Sequence, residues 1–320
     1  MKINLWDGKK LRDIPIPSMD ELKGEYIRET WIGVTDPSVE DLEKIADALG
    51  LPRDMLIGKL RSNYPHVDTY PEYTKVFAWY LASSPAEDEP SFKRRPVVIL
   101  SNGTATITVS EVKSGIQQMI TKELTEGKLN NISLPARVIY ITLLHVLETY
   151  ERSSEQLEHF AERLEEEIPP WPRSFYAKSF TARKEAGRLQ RLLGHFRSLM
   201  ESLAKDRTYL NLSEVEIRLL DTIYDRATGV EESTEMSLDV IKDLIDMHLD
   251  TASHDMNRAM RFMAAITSIV AIPSVIGALL GMNLIDAPWP EQLWQIATVG
   301  LVVTLLLALY FYRKGWLKGE

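Results

Sequence analysis

Charged side chains nearly vanish from the C-terminal part of this chain. Only two of them, Asp286 and Glu291, occur between residues 263 and 312, although 26% of all residues are charged. Two uninterrupted apolar stretches lie there, at about residues 262–280 and 293–312. Each is close to the length of about 20 residues that a helix needs to cross a hydrocarbon core of about 30 Å. Because two such stretches joined by a short loop are rare in soluble cores, the pattern predicts a membrane hairpin.

The residues at the ends of the two apolar stretches predict how the hairpin is oriented. A hairpin keeps both chain ends on one side of the membrane, and basic residues gather on that side. Positive charge beside membrane spans marks the cytoplasmic face. We therefore expect a multi-pass protein of the cell (inner) membrane, with both termini in the cytoplasm and the acidic loop outside. The basic residues are Arg258, Arg261, Arg313, Lys314 and Lys318.

The region before the spans reads as a folded cytoplasmic part. Strand-like runs flank the turn signal Ser101-Asn102-Gly103, and helical spacing of apolar residues begins near residue 134. No proline occurs between Ser213 and Pro273, so one long helix is expected to continue into the first span. The predicted fold class is an α/β cytoplasmic domain, a mixed sheet with flanking helices, followed by a long stalk helix and two transmembrane helices. The expected segments are 1–134 (α/β domain), 135–212 (helical hairpin), 213–261 (stalk helix), 262–283 (first span), 284–292 (outer loop) and 293–320 (second span and basic tail).

One face of the predicted first span carries small or neutral polar side chains, with a single methionine as the exception. Counted backward from residue 281, the positions on this face are alternately three and four residues apart, which is the spacing of a heptad seam. Small residues allow helices to pack closely in a membrane, or they leave room for hydrated ions on a shared axis. The residues alone do not choose between these two explanations. The seam consists of Gly281, Ala278, Ser274, Ala271, Thr267, Ala264, Met260, Asn257 and Ser253.

The absence of acidic side chains from this seam bears on mechanism. Mg²⁺ holds its first-shell waters tightly and prefers to keep several of them. Hydroxyl, amide and carbonyl oxygens can bind those waters without stripping them, and they release the ion more readily than carboxylates would. A pore built from one such helix per subunit requires several copies of the chain in a ring.

The tripeptide Gly281-Met282-Asn283 stands at the outer end of the first predicted span, immediately before the acidic loop. In this position it makes the chain resemble the CorA family of magnesium transporters, whose signature is Gly-Met-Asn between two C-terminal spans. The likeness extends over almost the whole chain after residue 23. Further stretches that resemble the family are 31–35, 101–108, 219–225 and 257–261.

The resemblance implies a homopentamer shaped as a funnel, with the pore built from the first span, and a transporter rather than an enzyme. Mg²⁺ would be both the transported ion and a regulator, with Co²⁺ and Ni²⁺ as further substrates. Gly281, Met282 and Asn283 would form the selectivity filter. The pore lining would comprise Asn257, Met260, Met263, Ala264, Thr267, Ala271, Ser274 and Ala278, and the basic collar would comprise Arg313, Lys314 and Lys318.

The gate departs from the pattern of many family members. Met260 and Met263 are the candidates for a hydrophobic constriction. Leu280 precedes the signature glycine, where many members have an aromatic residue, and Ala271 replaces a bulky apolar residue that often lines the pore. Pro273 matches only some members. A shorter hydrophobic gate is therefore expected here.

Cytoplasmic Mg²⁺ bound between neighbouring subunits is expected, from the same resemblance, to favour the closed state. Like charges on an acidic surface repel each other, and a bound divalent ion relieves that repulsion. The alternative is that these acids are solvated surface residues without a metal. The candidate ligands are Glu87, Asp88, Glu89, Asp221 and Asp225.

Other classes of protein find little support in the sequence. The chain has no cysteine and no glycine-rich phosphate loop, and we find no catalytic constellation. A formal net charge of -9 would repel nucleic acid. The expected partners are further copies of the chain, the lipid bilayer and divalent cations. Two alternatives are a zinc transporter of the same superfamily and a membrane-anchored coiled-coil scaffold without a pore.

Overall fold

The structure is a computed structural model, and it describes residues 2–8, 10–14, 29–53, 56, 64–83, 90–111, 114–127, 129–167, 172, 174–205, 212–281 and 293–317. The chain forms two compact units, Met1–Ile245 and Asp246–Glu320. The first unit contains a sheet with its covering helices. The second contains the C-terminal part of one long helix and the last helix of the chain.

A seven-stranded mixed sheet forms the centre of the first unit. Its strands are β1 (Lys2–Trp6), β2 (Leu11–Ile14), β3 (Trp31–Thr35), β4 (His66–Tyr70), β5 (Tyr73–Ser83), β6 (Phe92–Ser101) and β7 (Thr106–Ser110). Their order is β2-β1-β3-β7-β6-β5-β4, with β3 parallel to β7 and the other neighbours antiparallel. At the β6–β7 turn, Asn102 Oδ1 accepts hydrogen bonds from the backbone N–H groups of Thr104 and Ala105 at 2.9 and 2.7 Å.

Helix α1 (Val39–Leu49) covers one face of the sheet. Ser38 caps its start in a reciprocal capping box with Asp41, and Gly50 ends it in the left-handed conformation, with φ 69°. Leu42 and Ile45 are fully buried and join the apolar side chains of this sheet face. Local capping signals and one apolar stripe therefore suffice to explain this helix.

Helices α2 (Ile116–Glu126) and α3 (Leu134–Glu165) lie on the other face of the sheet. The indole N–H of Trp31 donates to Thr108 Oγ1 at 3.0 Å, and that hydroxyl donates to Gln117 Oε1 at 3.1 Å. The Gln117 amide donates in turn to the carbonyl of Val34 at 3.3 Å. A Cβ atom on Gly33 would stand 2.3 Å from Gln117 Oε1, so this close approach of α2 to β3 requires glycine.

Tyr150 connects α3 to β5, the strand next to the sheet edge formed by β4. Its hydroxyl donates to the backbone carbonyl oxygen of Trp79 at 2.6 Å. Pro96 stands opposite Trp79 in the ladder, and a proline has no N–H to donate. The side chain is fully buried, and burial raises the pKa of Tyr150 far above its ordinary value. The phenol therefore stays neutral and acts as a fixed donor.

Helices α4 (Phe175–Lys205) and α5 (Glu214–Leu280) pack beside α3, and α6 (Leu293–Arg313) ends the chain. In the first unit, α5 buries Leu220, Ile223 and Ala227 in the shared core. Polar contacts add to the packing of α5 against α3, because Arg226 forms a forked ion pair with Glu151 at 2.8 and 2.9 Å.

Glu216 joins the starts of two helices through one carboxylate. Its Oε1 accepts from the N–H and hydroxyl of Ser133, at 2.8 and 2.6 Å, at the start of α3. Its Oε2 accepts from the N–H and hydroxyl of Ser213, at 2.7 and 2.8 Å, at the start of α5. Burial raises the pKa of Glu216, but these four hydrogen bonds outweigh burial and hold the pKa below its ordinary value.

The predicted fold class is confirmed: a mixed sheet with flanking helices is followed by a long helix and two C-terminal apolar helices. Helix α5 passes through Gly229 and Pro273 without a break, as expected. Strands β6 and β7 lie on either side of the turn at Ser101-Asn102-Gly103, as the sequence predicted. Strands β1, β2 and β4 and helix α2 were not predicted.

Candidate pore and cation-binding residues

The two apolar helices of the second unit contact each other through a defined side of α5. A Cβ atom on Gly300 would lie 3.0 Å from Ile276 Cδ1, so the Ile276 side chain of α5 packs against the backbone of α6 at Gly300. Ala265 lies eleven residues before Ile276 and is 0% exposed. Phe311 lies eleven residues after Gly300 and is 9% exposed. The matched spacing indicates an antiparallel helical hairpin, as the sequence predicted.

The small-residue seam of α5 lies on a different side of the helix. At about 100° per residue, the seam centres about 140° away from the line of Ala265, Ile272 and Ile276. Within a single chain, α6 therefore does not use the seam for close packing. The seam residues of α5 from Ser253 onward are all exposed: Ser253, Asn257, Met260, Ala264, Thr267, Ala271, Ser274, Ala278 and Gly281.

The polar groups on the seam are neutral oxygen and nitrogen atoms. The Ser274 hydroxyl donates to the carbonyl oxygen of Val270 at 2.8 Å, which leaves its oxygen free to accept hydrogen bonds from water. Asn257 and Thr267 add an amide and a second hydroxyl to the same exposed side. Such a surface can hold a hydrated cation through its waters, without ionic bonds.

Large apolar side chains cover most of the remaining surface of both helices. Val270 and Val275 of α5 are each 58% exposed, and Leu305 and Leu306 of α6 are 60% and 61% exposed. Both helices are long and apolar enough to cross a membrane by length and composition. Exposed apolar surface of this extent suits contact with lipid rather than with water.

A cleft of about 550 Å³ lies at the end of this hairpin where α6 ends. Arg261 Nε donates to the backbone oxygen of Asn257 at 3.3 Å on one wall. Trp316, just after the end of α6, forms part of another wall. Three predicted pore residues therefore share this space with the start of the tail. The lining residues are His254, Asn257, Met260, Arg261, Ala264 and Trp316.

The signature tripeptide is described only at its first residue. Gly281 donates its N–H to the carbonyl oxygen of Gly277 at 3.1 Å. A Cβ atom on Gly281 would meet the Gly277 and Ala278 oxygens at 3.5 and 3.6 Å, which are ordinary contact distances. Among the described residues of one chain, then, no contact of Gly281 demands glycine. Met282 and Asn283 lie outside the described residues.

The basic collar and the regulatory acids are described in part. Arg313 and Lys314 are exposed, and Lys314 Nζ stands 5.2 Å from the centre of the Tyr310 ring. Asp221 and Asp225 are exposed one turn apart on α5. Among the described residues, no group of three or more histidine or acidic side chains is placed to hold a metal ion. Lys318, Glu87, Asp88 and Glu89 lie outside the described residues.

Trp316 and Phe311 also contribute to the end of the hairpin where α6 ends, a role that the sequence pattern did not predict. Their rings stack with centroids 5.2 Å apart and planes at 20°. A signal was present in the sequence, because a glycine followed by a large apolar residue after a helix is typical of a helix-ending turn. Gly315 and Trp316 have this order.

Comparisons with known proteins agree along nearly the whole chain. Residues 29–313 match the family model described as CorA-like Mg²⁺ transporter protein. The cobalt/magnesium transport protein CorA of Methanocaldococcus jannaschii is 24% identical over 310 residues, covering 94% of this chain and 95% of that protein. The complete structure of the CorA magnesium transporter from that organism matches with a TM-score of 0.78 at 20% identity, covering 99% of both chains. The ZntB cytoplasmic domain from Vibrio parahaemolyticus matches with a TM-score of 0.61 at 14% identity, covering 79% of this chain and 98% of that one.

Proposed function

The chain belongs to the CorA-like family of Mg²⁺ transporters, and from this premise we propose that it conducts hydrated Mg²⁺ into the cell as a homopentamer. Membership makes it a membrane transport protein with two C-terminal apolar helices, and not an enzyme. Co²⁺ and Ni²⁺ are proposed as further substrates. The proposed location is the inner membrane, with both termini in the cytoplasm.

One observation carries the pore proposal. The uncharged seam of α5 is exposed along its length, while α6 of the same chain packs on another side of the helix. A helix surface that avoids both bulky side chains and the neighbouring span suits contact with other copies of itself around an axis. Neutral oxygens at that axis, such as those of Ser274 and Thr267, would bind an ion's waters weakly enough to let it pass.

The selectivity filter is proposed at the outer end of α5. The side-chain oxygen of Asn283 accepts hydrogen bonds from waters of the hydrated ion, and the Gly281 carbonyl lies close by in the same ring. Met282 completes the filter segment. At the inner end, Asn257 forms a second polar ring, and Met260 and Met263 form the apolar constriction between the rings.

Regulation by cytoplasmic Mg²⁺ is part of the proposal. The exposed positions of Asp221 and Asp225 on one side of α5 support a bridging ion between copies, because each carboxylate is accessible to a neighbour. Glu87, Asp88 and Glu89 are proposed as the partners from the α/β domain. A divalent ion held between such acids offsets their mutual repulsion and favours the closed state.

Uptake of Mg²⁺ into liposomes that contain the purified protein tests the filter. Asn283→Ala is expected to abolish uptake while the oligomer keeps its size on a gel-filtration column. Gln295→Ala is the matched control, because it removes an exposed amide from α6 and leaves the seam intact. Full uptake by the Asn283 variant would refute the role given to this residue.

A zinc transporter is the second candidate, and the observation that favours it is the fold similarity to the ZntB cytoplasmic domain. The exposed seam has no ionisable side chain between Asn257 and Gly281. This weighs against a proton relay, which needs titratable groups inside the membrane. Uptake of Zn²⁺ and of Mg²⁺, each at two pH gradients, separates the candidates: faster Zn²⁺ uptake that follows the proton gradient would favour zinc. A scaffold without a pore would show no flux of either ion.

A further inference from the structure

The chain turns back on itself at the end of α6 through a glycine in the left-handed conformation. Gly315 has φ 78°, and its N–H donates to the Tyr312 carbonyl at 3.1 Å. The Trp316 N–H donates to the Phe311 carbonyl at 3.0 Å. This pair of bonds is the Schellman arrangement, which places the residue after the glycine against the last helical turn. The turn therefore determines where the Trp316 indole lies.

Phe311 packs against that indole. The two rings stack with their centroids 5.2 Å apart and their planes at 20°. Phe311 is 9% exposed, whereas its neighbours Tyr310 and Tyr312 are 51% and 55% exposed. The matched spacing from Gly300 and Ile276 puts Phe311 about level with the buried Ala265 of α5, so the Trp316 indole rests on a side chain buried within the hairpin.

From this anchor the indole reaches the cleft beside α5. On the surface of α5, His254 and Arg261 lie nearer the side that contacts α6, whereas Asn257 and Ala264 belong to the seam. All four line the cleft together with Trp316. The cleft therefore separates the end of α6 from the inner part of the seam, and the indole occupies its α6 side.

We propose that Trp316 is a positioning residue for the inner mouth of the pore. Its indole keeps the inner end of α5 at a set distance from α6, and this distance determines how far Asn257 stands from the axis shared by the copies. Open space of about 550 Å³ already lies beside α5. Trp316 faces α5 across this cleft, so removing the indole removes that wall and allows α5 to lean further toward α6. The inference rests on the proposed pore function.

Distances between copies test this proposal directly. The chain has no cysteine, so a single cysteine at Ser253, one turn from Asn257, can carry a nitroxide spin label. Pulsed electron resonance on the full-length protein in liposomes then reports the separation between labels. We compare the parent with Trp316→Ala and Trp316→Phe. Trp294→Ala is the matched control, because Trp294 is 62% exposed at the opposite end of α6.

In Trp316→Ala we expect the separation between labels to increase by about 2 Å or more, the size of helix shifts at subunit interfaces. Trp316→Phe retains a ring on Phe311 and is expected to keep the parent distances, as is Trp294→Ala. Gly315→Ala strains the left-handed residue and is expected to shift the labels in the same direction with the indole still present. Should Trp316→Ala fail to assemble, the comparison of Gly315→Ala with Trp316→Phe decides.

Two further readouts complete the test. The ratio of Ca²⁺ uptake to Mg²⁺ uptake is expected to rise in Trp316→Ala, because a wider inner ring discriminates less between ions by size. Parent distances in both Trp316→Ala and Gly315→Ala would overturn the proposal. An absence of uptake by the parent would refute the pore function alone, since the label distances do not depend on flux.

Discussion

Replacing Glu216 by glutamine should loosen the starts of two helices at once. The carboxylate accepts four hydrogen bonds, two from Ser133 and two from Ser213. Glutamine keeps one acceptor oxygen and replaces the other by an amide, which can only donate. The amide would face a backbone N–H, which loses its acceptor, and a hydroxyl, which must turn to accept from the amide instead of donating. One helix start therefore loses the hydrogen bond from its N-cap N–H to residue 216, whichever way the amide turns, while the serine hydroxyl still accepts from the first turn.

The size of the effect follows from these contacts. Glu216 is 6% exposed, so water does not readily replace the lost acceptor. A hydrogen bond to a charged group contributes about 1.5–3 kcal/mol, and loss of a helix cap costs about 0.5–2 kcal/mol. Because these contributions overlap, we expect a total loss of about 2–4 kcal/mol. This corresponds to roughly 30- to 700-fold less protection of the affected amides, at about 1.4 kcal/mol per factor of ten.

Hydrogen–deuterium exchange of the full-length protein in detergent measures that protection peptide by peptide. The loss is expected in the first turns of α3 and α5, with no change in α1. Glu214→Gln is the matched control, since Glu214 is exposed and lies in the same turn of α5. Equal protection in Glu216→Gln and Glu214→Gln would refute the reasoning, because the shared carboxylate would then contribute nothing beyond its charge.

The same carboxylate predicts a pH dependence with a definite sign. Hydrogen bonds hold the pKa of Glu216 below the ordinary value of 4.5, so the folded state binds a proton less readily than the unfolded state. The stabilisation is therefore complete above pH 4.5 and is lost as the pH falls through the folded-state pKa. We expect protection of the two helix starts to fall on acidification in the parent, and to fall less in Glu216→Gln. Parallel losses in both proteins would contradict this assignment.

Three further substitutions test the packing. Gly33→Ala would place a Cβ atom 2.3 Å from Gln117 Oε1, and we expect a loss of about 1–3 kcal/mol of unfolding free energy, seen as a lower denaturation midpoint of the first unit. Tyr150→Phe removes the donor to a β5 carbonyl and should cost about 1–2 kcal/mol in the same measurement, so an unchanged midpoint would contradict the role of that hydroxyl. Gly300→Val would add a Cβ atom only 3.0 Å from Ile276 Cδ1, together with two further methyl groups. We therefore expect the membrane hairpin to be cleaved faster by protease, and resistance equal to the parent would contradict the contact.

Some elements could be predicted with nearly correct ends because their signals are local. Ser38 and Gly50, which cap α1, are residue types typical of helix ends. Helix α4 lies within the predicted helical hairpin, begins shortly after a proline-rich break and carries one apolar stripe. Such signals depend on neighbours within a few positions, so no knowledge of the rest of the chain is needed.

Other elements escaped prediction for identifiable reasons. Strand β1 carries only a short signal, because polar and apolar residues alternate from Lys2 to Leu5 over four residues, the shortest run that indicates a strand. Edge strand β4 is half-buried at every position, so it has no periodic pattern. Helix α2 did carry a signal, with Ile116, Ile120 and Leu124 at steps of four, and a window of eleven residues would have found it.

The amino-acid sequence alone determined the two apolar spans, the single long helix that leads into the first of them, and the uncharged seam with Gly281 at its end. These are properties of composition and of spacing along one helix. The tertiary structure decided that α6 packs away from the seam, that Glu216 serves two helices, and that Trp316 reaches the cleft beside Asn257. Each of these contacts joins residues far apart in the chain, and periodicity within a segment cannot indicate which distant surface will cover it.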